Sequence, residues 1–189
     1  MIYVIRHGET DLNKERRMQG RFGLPLNEKG ITQAYEIKEN LQHIVFDYVF
    51  SSPQERAIQT AEIISGEKAM TDDRLEVFDL GQADRLKISE TVMAGGIPDR
   101  VIYAGVENFE SFVQRVFSFM RDLESNLLEK EANVSICGHR CTTGSIGVYV
   151  KGIPSDGNLL KYSSDTGGYK TYELVKKITC AAAGSFFTR

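Results

Sequence analysis

Cysteine is scarce in this chain. Its three cysteines are too few, and odd in number, to make a disulfide framework. No apolar run approaches the roughly 20 residues that a transmembrane helix needs. The net charge of −3 gives no overall attraction to nucleic acid or to an anionic membrane, so any anion site has to be a local focus of positive charge. Internal repeats, low-complexity tracts and linkers are all missing, which leaves one domain over 1–189 as the reading. The chain enters an apolar run at once, with no signal peptide ahead of it, and a cytoplasmic location is the default expectation.

What remains is an ordinary globular composition, 41% hydrophobic and 26% charged over 189 residues, long enough for a sizeable core. The pattern alternates. Ile2 to Ile5 reads as a buried strand, followed by a polar, Gly-containing loop over 8–28. Ile31, Ala34, Tyr35, Ile37 and Leu41 give one face of a helix from Glu28 to Gln42. Tyr48 to Phe50 is a second strand. Pro53 suits a helix start, and Ala57, Ile58, Ala61 and Ile64 supply that helix's buried face up to Gly66. Residues 68–106 carry little periodicity beyond a short strand at Ala69–Met70. A long helix over Glu107–Glu129 has an apolar stripe from Phe109 to Leu127, read as core packing. Val134 to Cys137 is a third strand, Thr142 to Val150 a helix, and the stretches 172–175 and 178–182 are final strands. Strands alternating with helices predict an α/β fold: a three-layer α/β/α sandwich around a mainly parallel sheet.

Three segments follow strands with the residue types an anion site needs. They are Arg6-His7-Gly8-Glu9-Thr10, then Ser52-Pro53 with Arg56, and Cys137-Gly138-His139. Open α/β sheets bind ligands at such strand ends. Phosphoryl transfer needs a nucleophile, a cradle for the equatorial oxygens and a proton for the leaving oxygen. A neutral imidazole at His7 is the candidate nucleophile, kept neutral by cationic neighbours. Arg6, Arg56 and His139 are the candidate cradle, since a guanidinium meets two oxygens at once and keeps its charge. Asn13 offers an amide donor just after the first strand, and the backbone amides after His139 open a helix. His43 has no motif around it and reads as a surface cap. Cys137, His139 and Cys141 match no standard zinc spacing, so no metal is expected.

These motifs resemble the histidine phosphatase superfamily, the phosphoglycerate-mutase-like family. The likeness runs through Arg6-His7-Gly8-Glu9-Thr10, Asn13, Gln19-Gly20-Arg21, Pro25-Leu26, Gly30 and Gln33-Ala34. It continues through Ser52-Pro53, Arg56-Ala57 and Thr60-Ala61, then Glu107, Arg115 and Gly138-His139. The resemblance implies that His7 becomes phosphorylated and that Arg6, Asn13, Arg56 and His139 form the phosphate pocket. It puts Gln19 and Gly20 near the ligand and implies neither metal nor organic cofactor. The implied ligand is a small phosphorylated metabolite or inorganic phosphate, and the oligomeric state stays open.

Two departures stand out. The family usually has a Glu, its general acid, four residues before Gly81, and this chain has Val77 there. Glu76 is the first substitute, with Asp84 and Asp79 behind it, or no acid at all. His139 is followed by Arg140 and Cys141 where the family usually has glycine. Arg140 either adds positive charge to the pocket or points to solvent. The reading is metal-independent phosphomonoester hydrolysis, with residues 85–106 as a small lid that is less charged than a mutase would need. The rivals are a mutase, a phosphohistidine protein phosphatase, and a non-catalytic phosphate-binding module, the last because of Val77. Substrate choice is expected to involve the lid and the segment containing Asn158, Tyr162, Ser163, Ser164 and Asp165.

Overall fold

The β-branched run at the N-terminus becomes β1 (Ile2–Arg6), and the computed structural model describes residues 1–127 and 131–173 of the chain. The next elements are a one-turn helix α1 (Asp11–Lys14), α2 (Glu28–Asn40), β2 (Tyr48–Ser51), α3 (Glu55–Ser65) and the short β3 (Met70–Thr71). A small hairpin, β4 (Met93–Ala94) and β5 (Ile97–Pro98), precedes α4 (Phe109–Leu127). The chain continues through β6 (Val134–Gly138), α5 (Arg140–Lys151) and β7 (Tyr169–Tyr172).

Five strands form the main sheet in the order β3-β2-β6-β1-β7. All pairings are parallel except that of β1 with β7. Because side chains alternate along a strand, β1 divides its residues between two cores. Ile2 and Val4 join Phe112, Val116 and Met120 of α4 and Ile146 of α5. Tyr3 and Ile5 join Ala34 and Ile37 of α2 and Ala57 and Ala61 of α3. Helices therefore cover both faces of the sheet, as the alternating pattern predicts. On α4, Phe112, Val116, Phe119, Met120, Leu123 and Leu127 recur at three- and four-residue spacing, and each is buried. Burying such side chains contributes about 1.5–3 kcal/mol apiece.

Several boundaries differ from the sequence reading, each for a local reason. Gln54, not Pro53, precedes the first turn of α3, and its extended backbone delays the helix to Glu55. The helix expected at Thr142 begins at Arg140, because His139 is its N-cap and the Thr143 amide already bonds the His139 carbonyl (2.8 Å). The last described strand is Tyr169–Tyr172 rather than 172–175. It is pinned by its register with β1, in which Tyr172 faces Ile2 and Tyr169 faces Ile5. Residues 174–175, the strand expected over 178–182 and the tail lie outside the described residues. The 85–106 segment is tied at its ends by bridges between Arg17 and Lys87 and between Leu80 and Val106.

Candidate active site

Parallel pairing of β1 with β6 brings the first and third motifs together. Arg6 lies opposite Gly138 in register, and the His7 amide continues the ladder to the Gly138 carbonyl (3.0 Å). His7 and His139, one residue beyond each strand, are buried with ring centroids 5.1 Å apart. Arg56 reaches the same point from the first turn of α3 and is only 1% exposed.

The protonation of His7 follows from its partner. Its Nδ1 lies 2.7 Å from the Gly8 carbonyl. A carbonyl only accepts, so Nδ1 carries the proton and Nε2 keeps a bare lone pair. Burial, then the Arg56 charge, then that of Arg6, hold the imidazole well below its usual pKa. It is neutral at neutral pH, the form in which imidazole is a nucleophile. Gly8 is itself held from below, its amide donating to Thr60 Oγ1 at 3.1 Å.

Arg56 is buried and Arg6 half-buried, and neither meets an anion among the described residues. Among the described residues, neither Arg6 nor Arg56 has a carboxylate within ion-pairing distance. Burial pulls both down to about 10, and the Arg140 charge adds to this at Arg6, yet both remain cations at neutral pH. Arg6 Nη1 donates to the Ser164 carbonyl (3.0 Å), while its buried Nε has no partner. Arg56 Nη2 donates to the Gly20 carbonyl (3.1 Å) and to His139 Nδ1 (3.2 Å). With the Gln19 amide oxygen turned toward Arg56, it accepts from Nε at 2.7 Å and its nitrogen donates to Thr10 Oγ1. This is the orientation that satisfies both ends of the amide. Taking charges out of water is costly unless they are paired, so a buried and a half-buried guanidinium group without carboxylate contacts, beside a bare imidazole nitrogen, can accommodate an anion.

The remaining candidates have distinct positions. Gln19 and Gly20 both hold Arg56, and the Gly20 amide is taken by Asp84 Oδ1 (2.7 Å). Asn13 spends its amide oxygen on a capping box with Thr10. Arg140 is exposed, yet its charge reaches Arg6. Of the three candidate acids, Asp84 serves Gly20 and its charge supports Arg56. Asp79 closes its own turn through the Gly81 amide (3.0 Å). Glu76 pairs with Arg21 (3.0 Å) and meets the Gln54 amide nitrogen at 3.4 Å. Val77 is buried, in accord with its apolar side chain.

Arg115 and Glu107 hold the loop that carries these acids. Arg115 donates to the carbonyls of Arg74, Glu76 and Val77, and pairs with Glu107, which accepts the Asp79 amide. From the C-terminal segment, the Ser164 carbonyl and the Asp165 charge act on Arg6. Cys137 belongs to the core on the α2/α3 face, and Cys141 packs against the opposite core, so the two thiols do not converge on His139. Among the described residues, no group of three or more His, Cys, Asp or Glu side chains could hold a metal ion, and no helix is long and apolar enough to cross a membrane.

Sequence reasoning missed Gln54 and Gly23. Gln54 is the polar residue between Pro53 and α3. A Cβ at Gly23 would stand 2.1 Å from Arg56 Nη1, so only glycine lets the loop close on the guanidinium. Each had a faint signal: an amide just before a helix, and a glycine in the loop after Gln19-Gly20-Arg21.

A family model described as histidine phosphatase superfamily (branch 1) matches residues 2–167. The chain belongs to this superfamily. Among curated relatives, "Probable phosphoglycerate mutase GpmB" of Proteus mirabilis is 30% identical over 167 residues, 82% of this chain and 76% of that protein. "Uncharacterized phosphatase PhoE" of Bacillus subtilis is 33% identical over 118 residues, 61% of this chain and 60% of that protein. Among solved structures, a mycobacterial glucosyl-3-phosphoglycerate phosphatase superposes with TM-score 0.75 at 23% identity, covering 89% of this chain and 90% of that one. The alpha-ribazole phosphatase of Shigella flexneri gives TM-score 0.74 at 24% identity, covering 89% and 87%. These structural likenesses show the fold, and the residues matched by the family model span all three motifs at the strand ends.

Proposed function

We propose that this superfamily member hydrolyses phosphomonoesters without a metal, through a phosphohistidine on Nε2 of His7. The observation that carries the reading is the bare Nε2 of a neutral, buried His7 beside a buried and a half-buried guanidinium group that lack carboxylate partners among the described residues. A phosphoryl group supplies the missing anion, and Arg6, Arg56 and the amides opening α5 hold its oxygens. His139, whose ring nitrogens already meet Arg56, Ser52 and Gln54, keeps Arg56 in place beside it. Gln19 and Gly20 serve the binding side by holding Arg56, and the Asn13 amide nitrogen and the exposed Arg140 are its outer members. His7 attacks phosphorus in line, and the ester oxygen leaves with a proton from Glu76. Water then displaces His7, giving a proton to the same carboxylate.

The substrate is a small phosphorylated metabolite. Phosphatase neighbours of the same fold act on such compounds, as the names of the glucosyl-3-phosphoglycerate and alpha-ribazole enzymes state of them. The second reading is a mutase, favoured by the name of the Proteus relative. Against it, the 85–106 segment, read as the lid, exposes Ile88, Val92, Met93, Val101 and Ile102. The same segment carries only Arg85, Lys87 and Arg100 as cations, and a mutase, which has to hold a bisphosphorylated intermediate, would be better served by more. Hydrolysis of p-nitrophenyl phosphate in EDTA tests the reading. Turnover by wild type that is lost in His7→Ala supports it. A folded wild type that binds phosphate and turns over nothing overturns it in favour of a binding module.

A further inference from the structure

Gln54 stands where the polar groups around His139 meet. It is 9% exposed and makes no capping bond to the helix it precedes. Its side chain turns into the site instead. Oε1 accepts from the Val77 amide (3.2 Å), from Ser52 Oγ (2.5 Å) and from His139 Nε2 (3.2 Å), and Nε2 faces Glu76 Oε1 at 3.4 Å.

These roles are not interchangeable. The Val77 N–H can only donate, so the amide oxygen faces Val77 and the amide nitrogen has to face Glu76. The same logic fixes His139. Arg56 can only donate to its Nδ1, so the proton is on Nε2, directed at Ser52 Oγ (2.8 Å) and Gln54 Oε1. An unbroken chain of polar contacts runs from Arg56 through His139 and Gln54 to Glu76, and on to Arg21. Arg21 is 40% exposed and draws Glu76 outward, so Gln54 is the inward contact on a carboxyl group that is 23% exposed.

We propose that Gln54 is the positioning residue that recruits Glu76 as proton donor in a site whose usual acid position is the apolar Val77. This rests on the phosphatase reading above. Gln54 Nε2–H holds Glu76 Oε1 on the His139 side of the pocket. The substrate enters as a phosphomonoester monoanion and leaves its proton on the Glu76 carboxylate. As the bond from His7 Nε2 to phosphorus forms and the ester P–O bond breaks, that proton passes to the departing oxygen. The resulting carboxylate then takes a proton from the water whose oxygen bonds phosphorus as the N–P bond breaks. Gln54 itself transfers no proton.

The test compares leaving groups. Loss of a proton donor hurts an alkyl phosphate, whose oxygen leaves badly as an anion, far more than p-nitrophenyl phosphate. Gln54→Leu and Glu76→Gln are each expected to lower kcat on an alkyl phosphate about 10²-fold and on p-nitrophenyl phosphate less than about threefold. The double variant should lose no more than either single one. The nearly isosteric Gln54→Met is read in parallel, so that a folding defect in the Leu variant does not remove the test. Equal losses on both substrates in the Gln54 variants overturn the proposal and leave the phosphatase reading standing. A wild type that hydrolyses neither substrate overturns both.

Discussion

Arg56 donates to His139 Nδ1 across 3.2 Å inside the protein, and this contact sets the protonation of the second histidine. It also leaves one guanidinium with two tasks, orienting His139 and neutralising phosphate. Arg56→Ala should therefore lower kcat by about 10²–10³ on every substrate, the scale for losing one transition-state contact. Arg56→Lys should recover little, because an ammonium cannot meet Gln19, Gly20 and His139 together. Steady-state kinetics of the two variants checks this.

Gly23 controls the same guanidinium from outside. A methyl group there would collide with Arg56 Nη1, so Gly23→Ala should raise the Kd for inorganic phosphate while the fold persists. Calorimetric titration with phosphate, beside a circular dichroism melt, reads both quantities. Unchanged affinity would mean that the loop yields without moving Arg56.

The buried histidines make stability depend on pH. His7 and His139 are both held well below their usual pKa, chiefly by burial and then by the Arg56 charge. In the unfolded chain they take up protons near pH 6.5, while in the folded chain they stay neutral. The unfolded state thus binds more protons below that pH, and stability falls as pH falls through it. The limiting slope is about 1.4 kcal/mol per pH unit for each histidine. Urea unfolding at about pH 7.5 and 5.5 should show the loss, and His139→Gln should remove roughly half of it.

Much of this was legible beforehand because the informative residues lie close in sequence to strands. Ile2–Ile5 and Val134–Cys137 are apolar runs, and whatever follows a strand end is near whatever follows its neighbour. His7 and His139 could thus be paired before any geometry was known. Gln54 was not legible, because an amide before a helix normally caps it, and only the tertiary approach of Val77, His139 and Glu76 gives it other partners. The 68–106 stretch was opaque for a related reason. Its order comes from side-chain clamps such as Arg115 on three carbonyls, which have no periodicity to read.

That clamp gives a prediction of its own. Arg115→Met keeps much of the packing over Phe112 but frees the carbonyls of Arg74, Glu76 and Val77. It should cost at least about 1.5–3 kcal/mol in urea unfolding, the scale for a single hydrogen bond to a charged group, since three carbonyls and Glu107 lose their partner together. It should also reduce turnover of alkyl phosphates more than that of aryl phosphates, since the loop carrying Glu76 is released.

The most direct measurement is rapid acid-free quenching of the wild-type protein during turnover of a phosphomonoester with a radiolabelled phosphoryl group, in EDTA. The account predicts an alkali-stable, acid-labile label on the peptide containing His7, formed in a burst and absent from His7→Ala. Turnover with no protein-bound label, or a label that persists in His7→Ala, would contradict it.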